Sequence, residues 1–321
     1  MKQFFKYLLK FSLLIVLLLM GGMYYFFKSN KAPILQGEIE FCINYKEDQL
    51  VDVYLPTKEA FQKRPVVVYY HGGAWVIGRK EAVNNARFNG AFNTLREAGY
   101  AIVSPSYTLG KLGNSPFPNC IQDAFDVLDW IKANAEQYNF DINNVGVFGE
   151  SAGAHLALMV AFGDADIFEK EKVLPLQYVV DVYGPTDLHA LYDDQQFLID
   201  TIQALAASLP SSLQKRFDLN AYLFGFDPKE DSLQAHIFTE KYSPINYVTN
   251  QQIPVLLIHG NVDKIVPLSQ TQLLMNRLDS LKIPFDYLEL DGVDHGLRGA
   301  SKPQKDSIQT KVTGFITKHL Q

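Results

Sequence analysis

The chain has 321 residues, 47% of them hydrophobic, and a formal net charge of −6, which is the composition of an ordinary globular protein. This apolar content excludes a mostly disordered protein, and the 21 glycines and 15 prolines exclude a collagen-like repeat. Two cysteines are too few for a disulfide scaffold or a four-cysteine zinc module. Residues 1–31 hold five lysines and no acid, so the remaining chain is more acidic than the total and is predicted to repel nucleic acid.

The N-terminal segment is apolar and flanked by lysines. Residues 11–27 contain no charged side chain, and a helix of this length rises roughly 26 Å, close to the thickness of a bilayer core. We predict a transmembrane signal-anchor at residues 11–27, after a cytoplasmic basic segment at residues 1–10 and before a linker at residues 28–36. Residues 37–321 would then lie outside the cytoplasm. A secreted protein released by signal cleavage and a buried core helix are the alternatives.

The two cysteines, Cys42 and Cys120, follow this segment. Outside the cytoplasm they would face an oxidising space, in which disulfides form and persist. A bond between them would close a long loop and could contribute about 4 kcal/mol of stability. The spacing does not show that the two residues are close, so a disulfide and two buried thiols both remain open.

Strand-like and helix-like runs alternate along residues 37–321. Apolar and β-branched runs predict strands at residues 66–70, 100–104, 144–148, 178–183, 253–259 and 285–290. Helical patterns predict helices at residues 81–98, from an N-cap at Asn119 to Ile131, at residues 154–162 and at residues 303–319. This alternation predicts an α/β fold with a mostly parallel sheet and helices on both faces.

One long stretch interrupts the alternation. Residues 187–240 contain helical runs and no strand-like run, and they are too many for a connecting loop. We predict a helical insertion over one end of the sheet. Its aromatic residues either shape a substrate pocket as a cap or form the core of the insertion itself: Tyr192, Phe197, Phe217, Tyr222, Phe224 and Phe226.

The motif Gly149-x-Ser151-x-Gly153 lies between a predicted strand and a predicted apolar helix. Glycines allow a sharp turn because they have no Cβ to clash, and this strand–turn–helix context is typical of a nucleophilic serine. The N–H of Ala152 would lie at a helix N-terminus, where an anion is stabilised. An ordinary turn with a serine N-cap is the alternative.

A second motif, His-Gly-Gly-Ala-Trp at residues 71–75, follows an earlier strand. Consecutive glycines can aim backbone N–H groups at a ligand, as an oxyanion hole requires. Gly72 and Gly73 are therefore predicted donors to an anionic intermediate. An ordinary glycine turn is the alternative.

Asp263 and His295 are the candidate acid and base. Each follows a predicted strand, and the carboxyl ends of parallel strands meet at one edge of a sheet, so we expect both near Ser151. Three further aspartates are weaker alternatives for the acid: Asp187, Asp291 and Asp294. The sequence contains no metal-ligand spacing and no phosphate- or dinucleotide-binding loop, so we predict no metal and no cofactor.

Six motifs of the body carry a family resemblance. They are His71–Trp75, Gly149–Ala157, Tyr183–Leu188, Tyr242–Tyr247, His259–Asp263 and Asp294–Gly296. Together they resemble those of α/β-hydrolases, nearest to the bacterial esterase/lipase branch similar to hormone-sensitive lipase and to the BD-FAE feruloyl and acetyl-xylan esterases. The resemblance covers roughly residues 37–321. It implies an α/β-hydrolase fold and a catalytic triad of Ser151, His295 and Asp263.

The resemblance also implies an oxyanion hole formed by Gly72, Gly73 and Ala152. Trp75 and Glu150, adjacent to these residues in the sequence, are predicted to contribute to the substrate pocket. Two departures from the family pattern leave the triad untouched: Ala74 where a third glycine is usual and Thr108 where an arginine is usual. The long insertion is a third departure, and it leaves the substrate class open.

We therefore expect a serine hydrolase that cleaves short acyl esters, such as acetyl esters of glycans or small molecules, through an acyl-enzyme. Its partners would be a small-molecule ester and, through the N-terminal helix, a membrane. An amide or peptide hydrolase with the same triad is one alternative, since the triad itself does not separate esters from amides. A non-catalytic binding protein on the same scaffold is the other.

Overall fold

The computed structural model describes residues 37–194 and 218–320. An eight-stranded sheet forms the centre of this part of the chain, in the order β1-β2-β4-β3-β5-β6-β7-β8. The strands are β1 (Ile39–Lys46), β2 (Gln49–Tyr54), β3 (Arg64–Tyr70), β4 (Ala101–Pro105), β5 (Phe140–Glu150), β6 (Leu176–Val182), β7 (Val255–Gly260) and β8 (Phe285–Leu290). Strand β2 is antiparallel to both of its neighbours, β1 and β4. The other neighbouring pairs of the sheet, from β4–β3 to β7–β8, are parallel.

Helices cover both faces of the sheet. The longer helices of the described residues are α1 (Asn89–Glu97), α2 (Asn119–Ala133), α3 (Ala152–Phe162), α4 (Ser232–Lys241), α5 (Ser269–Ser280) and α6 (Lys302–Lys318). Side chains of α2, α3 and α5 share one apolar cluster with the sheet, and those of α1 and α6 share another. Successive residues of β3 alternate, with Val66 and Val68 in the first cluster and Val67 and Tyr69 in the second. The predicted α/β architecture is confirmed.

The sequence patterns missed three elements, β1, β2 and α5. Strand β1 is at the edge of the sheet, and its side chains are exposed or half-buried, so its sequence lacks a continuous apolar run. Helix α5 buries Gln270 and Thr271 beside Leu274 and Leu278. Because two of these buried side chains are polar, a hydrophobicity pattern does not reveal the buried face.

The prediction of one continuous helix over residues 81–98 is wrong, because the chain is not helical between Asn84 and α1. The chain forms a 3₁₀ turn over Lys80–Asn84, and Asn85 is extended before α1 begins, with φ −68° and ψ 144°. Arg87 lies in this interruption, and its Nη2 is 2.8 Å from Oε1 of Glu150. A tertiary ion pair is thus made where local propensity alone predicts a continuous helix.

The predicted N-cap of α2 is also wrong. Pro118 occupies the N-cap position, and Asn119 is the first residue of the helix. The N–H groups of Ile121 and Gln122 donate to the carbonyl of Pro118, at 2.9 and 3.0 Å. The carbonyl of Pro118 therefore accepts N–H groups of the first turn, and the N-cap makes no side-chain hydrogen bond.

Both cysteines are free. Cys120 is buried on α2, where burial raises the pKa of its thiol, whereas Cys42 is exposed on the edge strand β1. The disulfide is therefore absent, and the alternative of two buried thiols is correct for Cys120 alone. Cys42 lies at an irregularity in the pairing of β1 with β2, where its φ is 57°.

The predicted N-terminal segments, residues 1–10, 11–27 and 28–36, lie outside the described residues. Within residues 37–194 and 218–320, no helix is long and apolar enough to cross a membrane. The signal-anchor stays a prediction from the sequence.

The described parts of the insertion predicted at residues 187–240 contain helices separated by turns. Residues 188–194 form a helix, a short helix follows at Leu219–Leu223, and α4 begins at Ser232. Two of its predicted aromatic residues, Phe197 and Phe217, lie outside the described residues.

Three of the remaining predicted aromatic residues, Tyr192, Phe224 and Phe226, belong to one ring cluster that contacts the body. The ring of Phe224 lies 5.3 Å from Tyr192, 5.6 Å from Phe226 and 4.8 Å from Phe238, measured between ring centroids. Phe238 in turn lies 5.5 Å from Phe117, which precedes α2. These contacts join the insertion to the body through one aromatic cluster.

Candidate active site

Ser151 lies at a sharp turn between β5, which ends at Glu150, and α3. Its backbone has φ 53° and ψ −123°, a conformation that costs a non-glycine residue about 1–3 kcal/mol and is typical of functional sites. A Cβ on Gly153 would lie 2.0 Å from the carbonyl oxygen of Tyr70, so only glycine fits there. The Ser151 N–H donates to the carbonyl of Val182 on β6, at 2.9 Å. The predicted strand–turn–helix context of the serine is confirmed.

The structure brings Ser151, His295 and Asp263 into one chain of hydrogen bonds. Oγ of Ser151 is 3.0 Å from Nε2 of His295, and Nδ1 of His295 is 2.8 Å from Oδ2 of Asp263. The Nδ1–H donates to the carboxylate, which leaves Nε2 free to accept the Ser151 hydroxyl proton. The other Asp263 oxygen accepts the N–H groups of Ile265 and Val266, at 2.9 Å each.

Asp263 is buried and stays ionised. Burial alone would raise its pKa, but hydrogen bonds from His259 and His295 outweigh burial and hold the pKa well below its ordinary value. His259 ends β7 and has Nε2 3.4 Å from Oδ2 of Asp263. It is fixed by Thr271 at Nδ1 and by the carbonyl of Val266 at Nε2, at 2.7 and 2.8 Å. Sequence reasoning missed this neighbour, although the spacing His259-x-x-x-Asp263 was visible.

The alternative acids have other partners. Asp294 accepts the backbone N–H of its neighbour His295 at 2.8 Å and pairs with Arg298. Asp187 accepts backbone N–H groups of its own helix, and Asp291 accepts the side-chain amide of Asn261. Of the four candidate aspartates, Asp263 is the one hydrogen-bonded to the imidazole of His295.

The glycine loop after β3 lies against Ser151. A Cβ on Gly72 would lie 3.3 Å from Cβ of Ser151 and 2.9 Å from the carbonyl oxygen of Glu150. Gly73 has φ 130°, and its carbonyl accepts the N–H groups of Val76 and Ile77, which closes a tight turn.

The first residue of this loop, His71, is held by Tyr107 at its ring and at its carbonyl. Its ring stacks on Tyr107 with 4.3 Å between centroids, and the Tyr107 hydroxyl donates to its carbonyl at 2.7 Å. Ala152 begins α3 directly after the serine. Gly72 is thus next to Ser151 in space, Ala152 is next to it in sequence, and Gly73 follows Gly72 along the loop.

Trp75 is buried beside the loop. Its ring lies 5.0 Å from His155 and 5.5 Å from Phe117, and its Nε1–H has no partner among the described residues. Burial lowers the pKa of His155 to about 4, so its neutral ring donates from Nε2 to the carbonyl of Tyr242, at 2.7 Å. Trp75 therefore joins the aromatic cluster that connects the body to the insertion.

Glu150 differs from its predicted role. Its side chain is 3% exposed, and its two oxygens accept hydrogen bonds from Tyr69, Arg87 and Tyr183. These contacts place the carboxylate in a buried cluster behind Ser151 rather than in a substrate pocket. Tyr69 and Arg87 belong to no sequence motif, and the motif Tyr183–Leu188 does not indicate that Tyr183 contacts Glu150, so only the fold reveals the cluster.

The described residues contain no group of three or more His, Cys, Asp or Glu side chains that could hold a metal ion.

Comparison with known proteins agrees with this architecture. Esterase LipC of Mycobacterium tuberculosis is 27% identical over 260 residues, which cover 77% of this chain and 57% of the relative. The chain spans little more than half the length of the first curated relatives that it matches. These relatives are named as esterases, and the likeness is to part of each of them.

Solved structures show the same fold. An esterase of Pyrobaculum calidifontis superposes with a TM-score of 0.66 at 20% identity, covering 93% of this chain and 90% of the other. A truncated carbohydrate esterase from gut microbiota superposes with a TM-score of 0.64 at 20% identity, covering 90% and 99%. The family model BD-FAE matches residues 51–278, well over half of the sequence. This chain therefore belongs to the BD-FAE family of α/β-hydrolases.

Proposed function

We propose that this chain hydrolyses carboxylic esters, with Ser151 as nucleophile, His295 as general base and acid, and Asp263 as the residue that orients His295. The observation that carries the proposal is the continuous hydrogen-bond chain through these three side chains. The strained backbone of Ser151 supports it, since strain of this kind clusters at active sites. The curated relatives named as esterases support the reaction class.

The reaction proceeds through an acyl-enzyme. His295 takes the hydroxyl proton as Oγ of Ser151 attacks the ester carbonyl, and the carboxylate of Asp263 stabilises the imidazolium that forms. The N–H groups of Gly72, Gly73 and Ala152 bind the oxyanion of the tetrahedral intermediate. His295 returns its proton to the leaving alcohol. Water, deprotonated by the same histidine, then releases the acid and restores the serine.

We propose that the substrates are short acyl esters, such as acetyl esters of glycans. The aromatic cluster of Trp75, Phe117 and Phe238 supports a small acyl site, because Trp75 closely follows the glycine loop in sequence and its ring packs on Phe117, which packs on Phe238. A structural neighbour named as a carbohydrate esterase fits the glycan substrate. Turnover of p-nitrophenyl esters should fall as the acyl chain lengthens from acetate. Faster cleavage of an acetanilide than of the matching acetate ester would instead favour an amide hydrolase.

The reaction class is tested by fluorophosphonate labelling of the full chain beside Ser151→Ala, with p-nitrophenyl acetate turnover on the same samples. We expect both labelling and turnover in the wild type and neither in the variant, because both require the serine oxygen. Ser301→Ala is the matched control, since Ser301 caps α6 away from the triad. A folded wild type that neither labels nor turns over would favour a non-catalytic binding protein.

We also propose, from the sequence alone, that residues 11–27 anchor the chain in a membrane with residues 37–321 outside the cytoplasm. The support is the charge-free run with lysines on both sides. The full chain should remain in the membrane fraction after an alkaline wash. A shorter form in the soluble extracytoplasmic fraction would instead show signal cleavage.

A further inference from the structure

A buried polar cluster that the proposed reaction does not use lies behind the nucleophile: Tyr69, Arg87, Glu150 and Tyr183. The carboxylate of Glu150 accepts the hydroxyls of Tyr69 and Tyr183, each at 2.6 Å, and Nη2 of Arg87 at 2.8 Å. The donors come from β3, from the interruption before α1 and from the residue after β6. Glu150 is therefore fixed by three separate segments of the fold.

The carboxylate of this cluster stays ionised inside the protein. Burial alone would raise the pKa of Glu150, but the charge of Arg87 and the hydrogen bonds from the cluster outweigh burial and hold that pKa below its ordinary value. Burial and the neighbouring carboxylate raise the pKa of Tyr183. The Tyr183 hydroxyl therefore keeps its proton and donates to a full negative charge, which is among the stronger kinds of hydrogen bond.

Tyr183 connects this cluster to the reacting histidine. Its ring lies 4.8 Å from the ring of His295, between centroids, with 60° between the planes. Its backbone has φ 46°, a left-handed conformation that a tyrosine keeps only where its surroundings fix it. The surroundings do so at both ends, since its N–H donates to the carbonyl of Ile258 at 2.8 Å and its hydroxyl donates to Glu150.

His295 needs such a contact. Asp263 and Ser151 contact the two ring nitrogens, and hydrogen bonds at these two atoms still let the imidazole plane tilt about the line that joins them. The plane must be right for Nε2 to meet the Ser151 hydroxyl, because proton transfer requires a well-aligned short contact. A buried tyrosine ring packed on the imidazole restricts the tilt by steric exclusion.

We propose that Tyr183 is a positioning residue for His295 and that the Glu150–Arg87 ion pair holds Tyr183 in that place. The inference rests on the proposed ester hydrolysis, in which His295 moves the proton. It gives the glutamate next to the nucleophile a role through Tyr183 rather than through the substrate.

The test compares Tyr183→Phe with Tyr178→Phe in the full chain. Tyr178 is a second buried tyrosine, on β6, whose hydroxyl has no partner among the described residues and whose ring packs on Phe315. We expect Tyr183→Phe to lower kcat for p-nitrophenyl acetate on the order of ten-fold with KM nearly unchanged, since a 1 Å misplacement can cost about 10²-fold. Tyr178→Phe should change neither constant.

A second measurement does not depend on turnover. The ¹H NMR resonance of the proton between Nδ1 of His295 and Asp263, assigned by its loss in His295→Ala, reports the geometry of that hydrogen bond. We expect Tyr183→Phe to shift or broaden this resonance and Tyr178→Phe to leave it in place. The resonance therefore tests the positioning role even in a chain that shows no esterase activity.

The outcomes separate the two ideas. A wild type that shows neither turnover nor fluorophosphonate labelling would contradict the proposed function. The resonance comparison would still show whether Tyr183 positions His295. If Tyr183→Phe matches the wild type in kcat and in the His295 resonance, the positioning role is overturned. A loss of kcat that Tyr178→Phe shares equally would also overturn it, because the effect would then belong to any buried tyrosine on or next to β6.

Discussion

The loop after β7 and the end of β5 each hold a buried, ionised carboxylate, and the two regions use it differently. Asp263 contacts Nδ1 of His295 directly, at 2.8 Å. Glu150 instead accepts hydrogen bonds from Arg87 and two tyrosines. One of them, Tyr183, contacts His295 through its ring. Both carboxyl groups have a pKa held below the ordinary value in the folded chain.

This difference shows that a low pKa and burial do not by themselves identify the carboxylate that contacts the imidazole of His295. The groups around each carboxylate distinguish the two. Backbone N–H groups and two histidines surround Asp263, whereas the permanent positive charge of Arg87 balances Glu150. A carboxylate beside a histidine can stabilise a charge that appears during the reaction. One already paired with arginine is neutralised before the reaction begins, so its effect is on structure.

The largest expected effect is that of Asp263→Asn. We expect kcat for p-nitrophenyl acetate to fall by about 10⁴-fold, because an amide no longer stabilises the imidazolium and favours the wrong tautomer. Asp294→Asn is the matched control, since that carboxylate accepts a backbone N–H and the amide oxygen can do the same. A comparable loss in both variants would contradict the distinction between the two neighbouring aspartates.

The next effect in size is that of Gly72→Ala. The new Cβ would lie 2.9 Å from the carbonyl oxygen of Glu150 and 3.3 Å from Cβ of Ser151, which pushes the loop away from the nucleophile. We expect a loss of about 10²–10³-fold in kcat, the usual effect of a lost oxyanion donor.

Gly314→Ala on α6 serves as its control. A Cβ there meets nothing within 4 Å, so its activity should match the wild type, and its stability should rise by roughly 0.5–1 kcal/mol. Wild-type turnover in Gly72→Ala would mean that the loop does not bind the oxyanion.

Arg87→Met probes the second carboxylate. It leaves Glu150 buried without its cation, and we expect the free energy of unfolding to drop by about 2–3 kcal/mol. Arg298→Met removes an exposed partner of Asp294 instead and should change the same quantity by less than about 0.5 kcal/mol. Urea denaturation of both variants measures the two free energies of unfolding. Equal values would show that the Glu150 ion pair contributes no more stability than a surface ion pair.

The smallest expected effect is a loss of stability in acid. A carboxyl whose pKa is lower folded than unfolded contributes stability that is present above its unfolded pKa and is lost as pH falls through its folded pKa. Asp263 and Glu150 both have this sign, so the free energy of unfolding should stay constant from about pH 7 to about pH 5 and decrease as pH falls from about 5 towards about 2. Asp263→Asn should show a shallower decrease, and an unchanged slope would contradict the contribution of this residue.

Most of the candidate site could be predicted from short motifs. Ser151, Asp263 and His295 follow recognisable strands, and parallel strands bring their carboxyl ends to one edge, so spacing along the chain becomes proximity in space. The glycine loop at Gly72 and Gly73 was recognisable in the same way, because it follows a predicted strand. The contacts of Glu150 could not be predicted, because its partners Arg87 and Tyr183 lie far away along the chain.

By itself, the sequence determined the alternating α/β pattern, the family motifs and the identity of the candidate triad, since each depends on local spacing and on the periodicity of apolar residues. Only the tertiary structure decided the break before α1, the free cysteines, the neighbour His259 and the link from Glu150 through Tyr183 to His295. These features depend on which distant side chains meet inside the core. A buried polar or charged group must have a partner, because leaving it unpaired costs free energy. Local propensity does not indicate which partner that group meets.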